Sequence, residues 1–303
     1  MSETVWDGVA GKQLLITGAT AGIGLAAARA LAAKGAHIAL VGRDRGRADA
    51  AAAAIDAAAA ATGSGSHTTV FLADLTSQAD VRRLAADVLA GLGPVHVLVN
   101  NAGAVFSSRR TTTDGVEATW ALNHLAPWLL TNLLLERLRE SAPARVITTS
   151  SEAGARSHLP FGDVDAERSW GERRSQLRGF RRYGETKLAN IAFTIELARR
   201  CEGTGVEAFC FHPGLVASNF NLNNGPLVKG AMALVRPFAR STDKGAETLV
   251  WLAESSEPSG QNGSYFADRK PRRFPPGALE ADSPRRLWEL SERQTGGGAA
   301  APA

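Results

Sequence analysis

The sequence predicts an α/β fold in which one doubly wound parallel sheet is covered by helices on both faces. Two patterns point to it. Short runs such as Leu14-Leu15-Ile16 and Ile38-Ala39-Leu40-Val41 are apolar at every position. A strand of that kind is buried on both sides, as in a parallel sheet between helix layers. Longer alanine-rich stretches alternate with these runs, which is the order of right-handed strand–helix–strand crossovers.

The elements follow in turn. The first strand ends at Thr17, and Gly22 to Lys34 reads as the helix after it. The second strand closes at Gly42, and Asp44 reads as the N-cap of a helix reaching Ala61. The alanine block in that helix looks like low complexity, but alanine is the best helix former. Strands are further expected at Thr69–Leu72, Val95–Val99, Arg145–Thr148, Glu207–Phe211 and Ser264–Ala267. Helices are expected at Ser77–Leu89, Gly115–Leu138, Tyr183–Arg200 and Lys244–Ala253.

The chain has 303 residues, 44% of them hydrophobic and 21% charged, which suffices for one large core. The motifs run almost end to end in one order, so one domain is expected over 11–270, after an extension at 1–10. Residues 271–303 read as a C-terminal extension, with a disordered tail from Thr295 that holds Gly296-Gly297-Gly298. Two segments break the rhythm: 152–182, rich in Arg, Gly and Ser, and 217–243. Loops of this length in a compact domain are usually lids or binding loops.

Composition excludes several classes. No apolar run is long enough to span a bilayer, and Met1 to Asp7 is too acidic for a signal peptide. Cys201 and Cys210 sit in no metal-ligand or redox spacing, so neither a metal nor a disulfide framework is expected, and a reducing cytoplasm is. The net charge of +4 gathers between Arg168 and Arg182. Without an aromatic ladder, that run reads as a solvated face rather than a nucleic-acid patch.

Chemistry first appears at Thr17-Gly18-Ala19-Thr20-Ala21-Gly22-Ile23-Gly24, between the first strand and its helix. The glycines permit a tight turn and close backbone approach, and the helix N-terminus offers free N–H groups to a pyrophosphate. At the second strand's end the chain reads Gly42-Arg43, with no acid to accept from a ribose 2′-OH. Arg43 offers instead the planar fork that suits a 2′-phosphate. Tyr183 and Lys187 are four apart, hence on one face of a helix.

This TGxxxGxG spacing, with Asn100-Asn101-Ala102-Gly103 and Tyr183-Gly184-Glu185-Thr186-Lys187, resembles the short-chain dehydrogenase/reductase family. Leu122-Asn123-His124-Leu125-Ala126-Pro127, Ala189 to Thr194 and Phe211-His212-Pro213-Gly214 are similar to its retinol-dehydrogenase-like branch. The resemblance implies a Rossmann-type fold, NADP(H) as cofactor, and hydride exchange with a small-molecule carbonyl or alcohol. Residues it implies for the cofactor are Gly18, Thr20, Gly22, Ile23, Gly24, Arg43, Asp74, Leu75, Asn101, Ala102, Gly103, Pro213, Gly214, Val216 and Ser218, with Tyr183 and Lys187. Ser218 stands where the family's PGxxxT segment carries Thr.

For catalysis it implies Tyr183 as proton donor and Lys187 as the ammonium that lowers the phenol's pKa, helped by the positive nicotinamide. Ser151 holds the substrate oxygen, with Ser150 as the alternative, and Asn123 steadies Lys187 through water. Ser151 and Tyr183 lie 32 positions apart, a longer interval than the family usually carries but one that suits this branch. The Arg-rich insertion between them can then fold over the site.

Phe106, His158, Leu159, Leu215 and Phe220 read either as an apolar pocket for a lipophilic substrate or as loop packing. The resemblance also implies a homodimer or homotetramer, pairing through Gly115–Leu138 and Tyr183–Arg200. Two other readings remain: a catalytically silent dinucleotide-binding redox sensor or scaffold, which usually lacks the Tyr or Lys, and a sugar-nucleotide epimerase or dehydratase, whose TGxxGxxG spacing Ala21 breaks.

Overall fold

The computed structural model describes residues 6–170, 176–216 and 239–296. An eight-stranded sheet in the order β3-β2-β1-β4-β5-β6-β7-β8 forms its centre. Strands β1 (Gln13–Thr17), β2 (His37–Gly42), β3 (Thr68–Leu72), β4 (Val97–Asn100), β5 (Ala144–Thr149), β6 (Val206–Phe211) and β7 (Tyr265–Ala267) are parallel. Strand β8 (Lys270–Arg272) pairs antiparallel at the edge, with all three residues exposed. Its Lys, Pro and Arg are the residues that blunt an open sheet edge.

The all-apolar runs serve both faces, as the alternation of a strand demands. Leu14, Ile16, Ile38 and Leu40 pack with α1 (Gly22–Ala32), α2 (Arg45–Thr62) and α9 (Thr242–Glu254). Leu15, Ala39 and Val41 face the opposite layer of α3 (Gln78–Gly91), α5 (Ala126–Leu133) and α8 (Gln176–Arg200). Asp44 does cap α2, its carboxylate accepting from the Arg47 N–H at 2.9 Å.

Three expectations are corrected. The helix expected over Gly115–Leu138 is broken into α4 (Ala118–Trp120), a π turn (Ala121–Leu125), α5, and α6 (Leu135–Glu140). Pro127 accounts for the π turn: it has no N–H for the carbonyl of Asn123 four residues back, so a regular turn cannot close there. The helix expected from Tyr183 starts at Gln176, so the end of the insertion is helical. Short elements α7 (Glu167–Trp170) and a 3₁₀ turn (Glu152–Arg156) occupy its earlier part.

The third correction concerns the charge run. Arg182 is 2% exposed, not solvated. Its Nε donates to Glu117 at 2.8 Å, Nη1 donates to Glu185 at 3.1 Å, and the guanidinium lies over the Trp120 ring. A run of arginines conceals such a member because burial depends on carboxylates brought from elsewhere in the chain.

Past the sheet, α10 (Pro276–Leu279) and α11 (Ser283–Thr295) fold back onto the core. Trp288 of α11 sits 5.4 Å from Trp128 on α5 and 6.0 Å, stacked, from Phe193 on α8. The faces of α5 and α8 bearing these rings, on helices expected to pair between subunits, are thus covered by the chain itself. Thr295, expected in the tail, is buried as the last residue of α11, and Gly296 ends the helix at φ +68°. Residues 297–303 lie outside the described residues.

Candidate active site

The glycine-rich turn is built by close backbone approach. Gly18 has φ +67°, and a Cβ on it would lie 2.8 Å from the Ala102 Cα. One on Gly24 would lie 2.4 Å from the Gly18 carbonyl oxygen. The Thr17 hydroxyl accepts from the N–H groups of Asn101 and Ala102, and the Asn101 amide donates to the carbonyls of Thr17 and Gly18. These bonds staple β4 to the turn.

Helix α1 opens behind the turn with no side-chain cap and no acid in its first turn. The first N–H groups of a helix have no intrahelical acceptor, so this uncapped end beside Thr20, Gly22 and Ile23 suits a pyrophosphate. Ile23 and Val216 meet over Gly245, where a Cβ would touch both.

Arg43 is exposed at the end of β2. Gly42 beside it has no room for a side chain, since a Cβ would come within 2.6 Å of Thr20 Cγ2. Asp74, expected at the adenine, is exposed, and its Oδ1 accepts from both the N–H and the hydroxyl of Thr76 at the entry to α3. Leu75 lines a small crevice with Thr17, Ala102 and Pro127. Gly214 has φ +75°, packs against Arg240, and donates through its N–H to His212 Nδ1. Ser218 lies outside the described residues.

On α8, Lys187 Nζ stands 5.5 Å from the centre of the Tyr183 ring and donates to the Thr149 carbonyl at 2.9 Å. The two serines at the end of β5 separate cleanly. Ser150 is buried, its hydroxyl donating to the Lys187 carbonyl at 2.6 Å. Ser151 is partly exposed, its hydroxyl accepts from the Ala153 N–H at 3.3 Å, and it acts on the Tyr183 phenol to lower its pKa.

Two glycines bring Ser151 and Tyr183 together. A Cβ on Gly184 would meet the Ser157 hydroxyl at 2.4 Å and the Ala153 carbonyl at 2.8 Å; one on Gly154 would meet the Leu188 nitrogen at 2.9 Å. The 3₁₀ turn therefore presses directly on α8.

The phenol differs from expectation. Burial pushes Tyr183 up to about 12, only partly offset by the Ser151 hydrogen bond. Burial also pulls Lys187 down to about 8. The expectation of a lowered phenol overlooked that desolvation of the anion opposes the nearby ammonium. Asn123 also differs in detail: its side chain binds the Ala104 backbone through both amide atoms and donates to the Thr186 hydroxyl. It props the β4 exit loop under Gly103, where a Cβ would sit 3.1 Å from Asn123 Oδ1 and 3.4 Å from Lys187 Nζ.

The family model for short chain dehydrogenases matches residues 12–162. Retinol dehydrogenase 12 of Mus musculus is 38% identical over 283 residues, covering 93% of this chain and 86% of that one. The chain belongs to the short-chain dehydrogenase/reductase family, in its retinol-dehydrogenase-like branch. A Streptomyces sp. (strain C5) protein named, provisionally, as a daunorubicin C-13 ketoreductase is 37% identical over 293 residues, covering 97% and 96% of the two chains. Among solved structures, the RhlG/NADP active-site complex of Pseudomonas aeruginosa superposes with a TM-score of 0.65 at 27% identity, covering 86% and 95%. This protein is accordingly an NAD(P)-dependent oxidoreductase acting on CH–OH or C=O groups of small molecules.

The five residues read either as an apolar pocket or as loop packing lie as follows. His158 is exposed, its side chain 81% accessible and 3.8 Å from Glu280. Leu159 is partly buried and packs beside α8 and Leu287. Phe106 lies under the Arg110 guanidinium, and its carbonyl abuts Gly179 of α8. Leu215 is 51% exposed at the start of the 217–243 segment. Phe220 and residues 217–238 lie outside the described residues. Among those described, no helix is long and apolar enough to cross a membrane. Gly154, Gly179 and Gly184 were missed by sequence reasoning; glycines beside catalytic positions were the available signal.

Proposed function

We propose that this chain is an NADP(H)-dependent reductase of lipophilic ketones or aldehydes, with Tyr183 as the proton donor. The observation that carries the reading is the Lys187 ammonium 5.5 Å from the Tyr183 ring on one face of α8, with the partly exposed Ser151 hydroxyl at the end of β5 as the neighbour that lowers the phenol's pKa. Bound in the cradle, the dinucleotide supplies a hydride at its nicotinamide C4. Ser151 holds the carbonyl oxygen and stabilises the charge that develops on it. Tyr183 Oη releases its proton to that oxygen.

A phenol held near 12 stays protonated at neutral pH, which suits donation and hence the reductive direction. Lys187 keeps its charge below about 8 and aims it at the phenol and the ribose side of the cradle. Asn123 supports Lys187 from below Gly103, and its backbone carbonyl, relieved of a helical donor by Pro127, supplies the acceptor for a bridging water.

Gly42 and Arg43 support NADP over NAD. A side chain at 42 would press on Thr20 Cγ2, and Arg43, exposed at the end of β2, has the planar fork that suits a 2′-phosphate. Gly18, Gly22, Gly24, Asn101, Ala102, Pro213, Gly214 and Val216 shape the rest of the cradle, with Asp74 and Leu75 at its adenine end. The ketoreductase name of the Streptomyces relative and the retinoid name of the mouse one both favour an apolar substrate. Cys201 and Cys210 are buried and free, which supports a reducing, cytoplasmic setting.

The test follows NADPH absorbance over a panel of retinoid, steroid and polyketide-like carbonyls and alcohols, with NADPH binding measured by fluorescence. Consumption with a lipophilic carbonyl is the expected result. Tight binding without turnover on any member would reinstate the sensor reading.

A further inference from the structure

Two short connections at the carboxyl edge of the sheet, the edge where open α/β sheets hold their ligands, meet through an ion pair that the mechanism above leaves unused. The first follows β6. Gly214, at φ +75°, donates through its N–H to His212 Nδ1 at 3.3 Å, and the His212 ring lies 5.6 Å from that of Tyr265. The second follows β7. Asp268 and Arg269 stand at φ +52° and +58° between Ala267 and Lys270, which pair across the β7–β8 hairpin.

Arg240 links the two. Its guanidinium lies flat against Gly214, since a Cβ built there would be 3.3 Å from Cζ, Nε and Nη1 alike. Its backbone N–H donates to the Leu215 carbonyl at 2.9 Å, and Val216 and Arg240 form a parallel bridge. Both terminal nitrogens reach Asp268, Nη1 donating to Oδ1 and Nη2 to Oδ2, the latter at 3.3 Å. Arg272 on β8 brings a second guanidinium to 3.6 Å from Oδ2. The turn that carries Asp268 is strained. Two successive positive φ values belong to a type I′ hairpin, which favours Asp first and Gly second, yet Arg269 holds the second place. The Thr248 hydroxyl on α9 accepts from the Arg269 N–H at 3.3 Å and braces it there. Strain kept in a turn is a sign that the position of its side chain matters.

We propose that Arg240 and Asp268 are positioning residues for the Pro213–Val216 segment, and so set how tightly that segment holds the coenzyme. The inference rests on Pro213, Gly214 and Val216 lining the coenzyme, as proposed above. A glycine has no side chain to fix its own conformation. At Gly214 the flat guanidinium stands in the place a side chain would take. Asp268 fixes the plane of that guanidinium with two parallel hydrogen bonds, a service that a lysine ammonium could not receive. Because the segment does not depend on a 2′-phosphate, the pair acts on NADPH and NADH alike, in contrast to Arg43.

The test uses the full chain carrying Asp268→Asn, Arg240→Lys, Arg240→Gln, or Arg240→Gln with Asp268→Asn. The Kd of NADPH and of NADH is read by fluorescence titration, with Tm alongside and kcat on the best carbonyl of the panel. Arg240→Gln is expected to raise both Kd values by about tenfold, and Asp268→Asn by about fivefold. Arg240→Lys keeps the charge without the fork and is expected to bind as weakly as Arg240→Gln. The double variant should be no weaker than Arg240→Gln alone, because the pair acts as one unit. Both side chains are partly exposed, so Tm should move little, and kcat should stay within about twofold.

A lowered Tm with both Kd values unchanged would assign the pair to stability and overturn the proposal. A loss confined to NADPH would overturn it too, by making Arg240 a ligand of the 2′-phosphate. So would wild-type affinity in Arg240→Lys, or losses that multiply in the double variant. The two levels are separable. A wild-type chain that binds neither coenzyme removes the underlying reading, whereas one that binds both, beside an Arg240→Gln variant of equal affinity, removes this proposal alone.

Discussion

The two halves of the site are made in different ways. The cradle rests on close backbone approach at Gly18 and Gly24, with missing side chains as its working parts and the Thr17 hydroxyl and Asn101 amide as its ties. The catalytic half is side chain against side chain, and its members come from β5, the π turn and α8. Where the ligand is a pyrophosphate, fixed N–H groups suffice. Where a proton must move, a phenol, an ammonium and a hydroxyl must be held to fractions of an ångström, and that demands support from several elements.

The comparison is broken most directly by Tyr183→Phe. Loss of the general acid is expected to cut turnover by roughly 10²–10⁴-fold, while NADPH fluorescence titration shows binding intact. Parallel loss of binding would mean that the halves are not separable. Next in size is Gly184→Val, whose new side chain must push the 3₁₀ turn away from α8. We expect kcat to fall by up to about a hundredfold, and stability by ~1–3 kcal/mol in thermal unfolding, with NADPH affinity kept.

On the cradle side, Arg43→Glu is expected to raise KM for NADPH by about tenfold or more while leaving KM for NADH nearly unchanged. Equal effects on both coenzymes would deny Arg43 a phosphate. A smaller effect on activity, but a visible one on stability, comes from pH. His124 is held neutral, its pKa lowered to about 3 from 6.5. Its contribution is complete above pH 6.5 and declines as pH falls toward 3, because the unfolded state then binds the proton that the folded state refuses. Tm should drop between pH 7 and pH 4.5, with a shallower slope in His124→Asn.

The same contrast explains what the sequence disclosed. The cradle was legible because its residues are consecutive and lie between a recognisable strand and helix. That Tyr183 and Lys187 share a helix face was legible from their spacing, whereas Ser151 was singled out by the family resemblance. Ser151 was already preferred to Ser150 on the resemblance, and the fold adds what sequence could not show, that the Ser150 hydroxyl is buried on the Lys187 carbonyl while Ser151 stays partly exposed. Arg182 was misread because its partners, Glu117 and Trp120, are distant in the chain. Helix α11 was hidden in what looked like a polar extension, although Leu287, Trp288 and Ser291 fall on one helical face.

The contact between His124 and Ser291 spans 167 residues. Closing so large a loop carries an entropic cost that only an assembled sheet and its helices can offset, so this contact belongs among the late events of folding. A refolding chain should regain its far-UV signal before the near-UV signal of Trp288 against Trp128 and Phe193. The lag between those signals is the time α11 takes to dock.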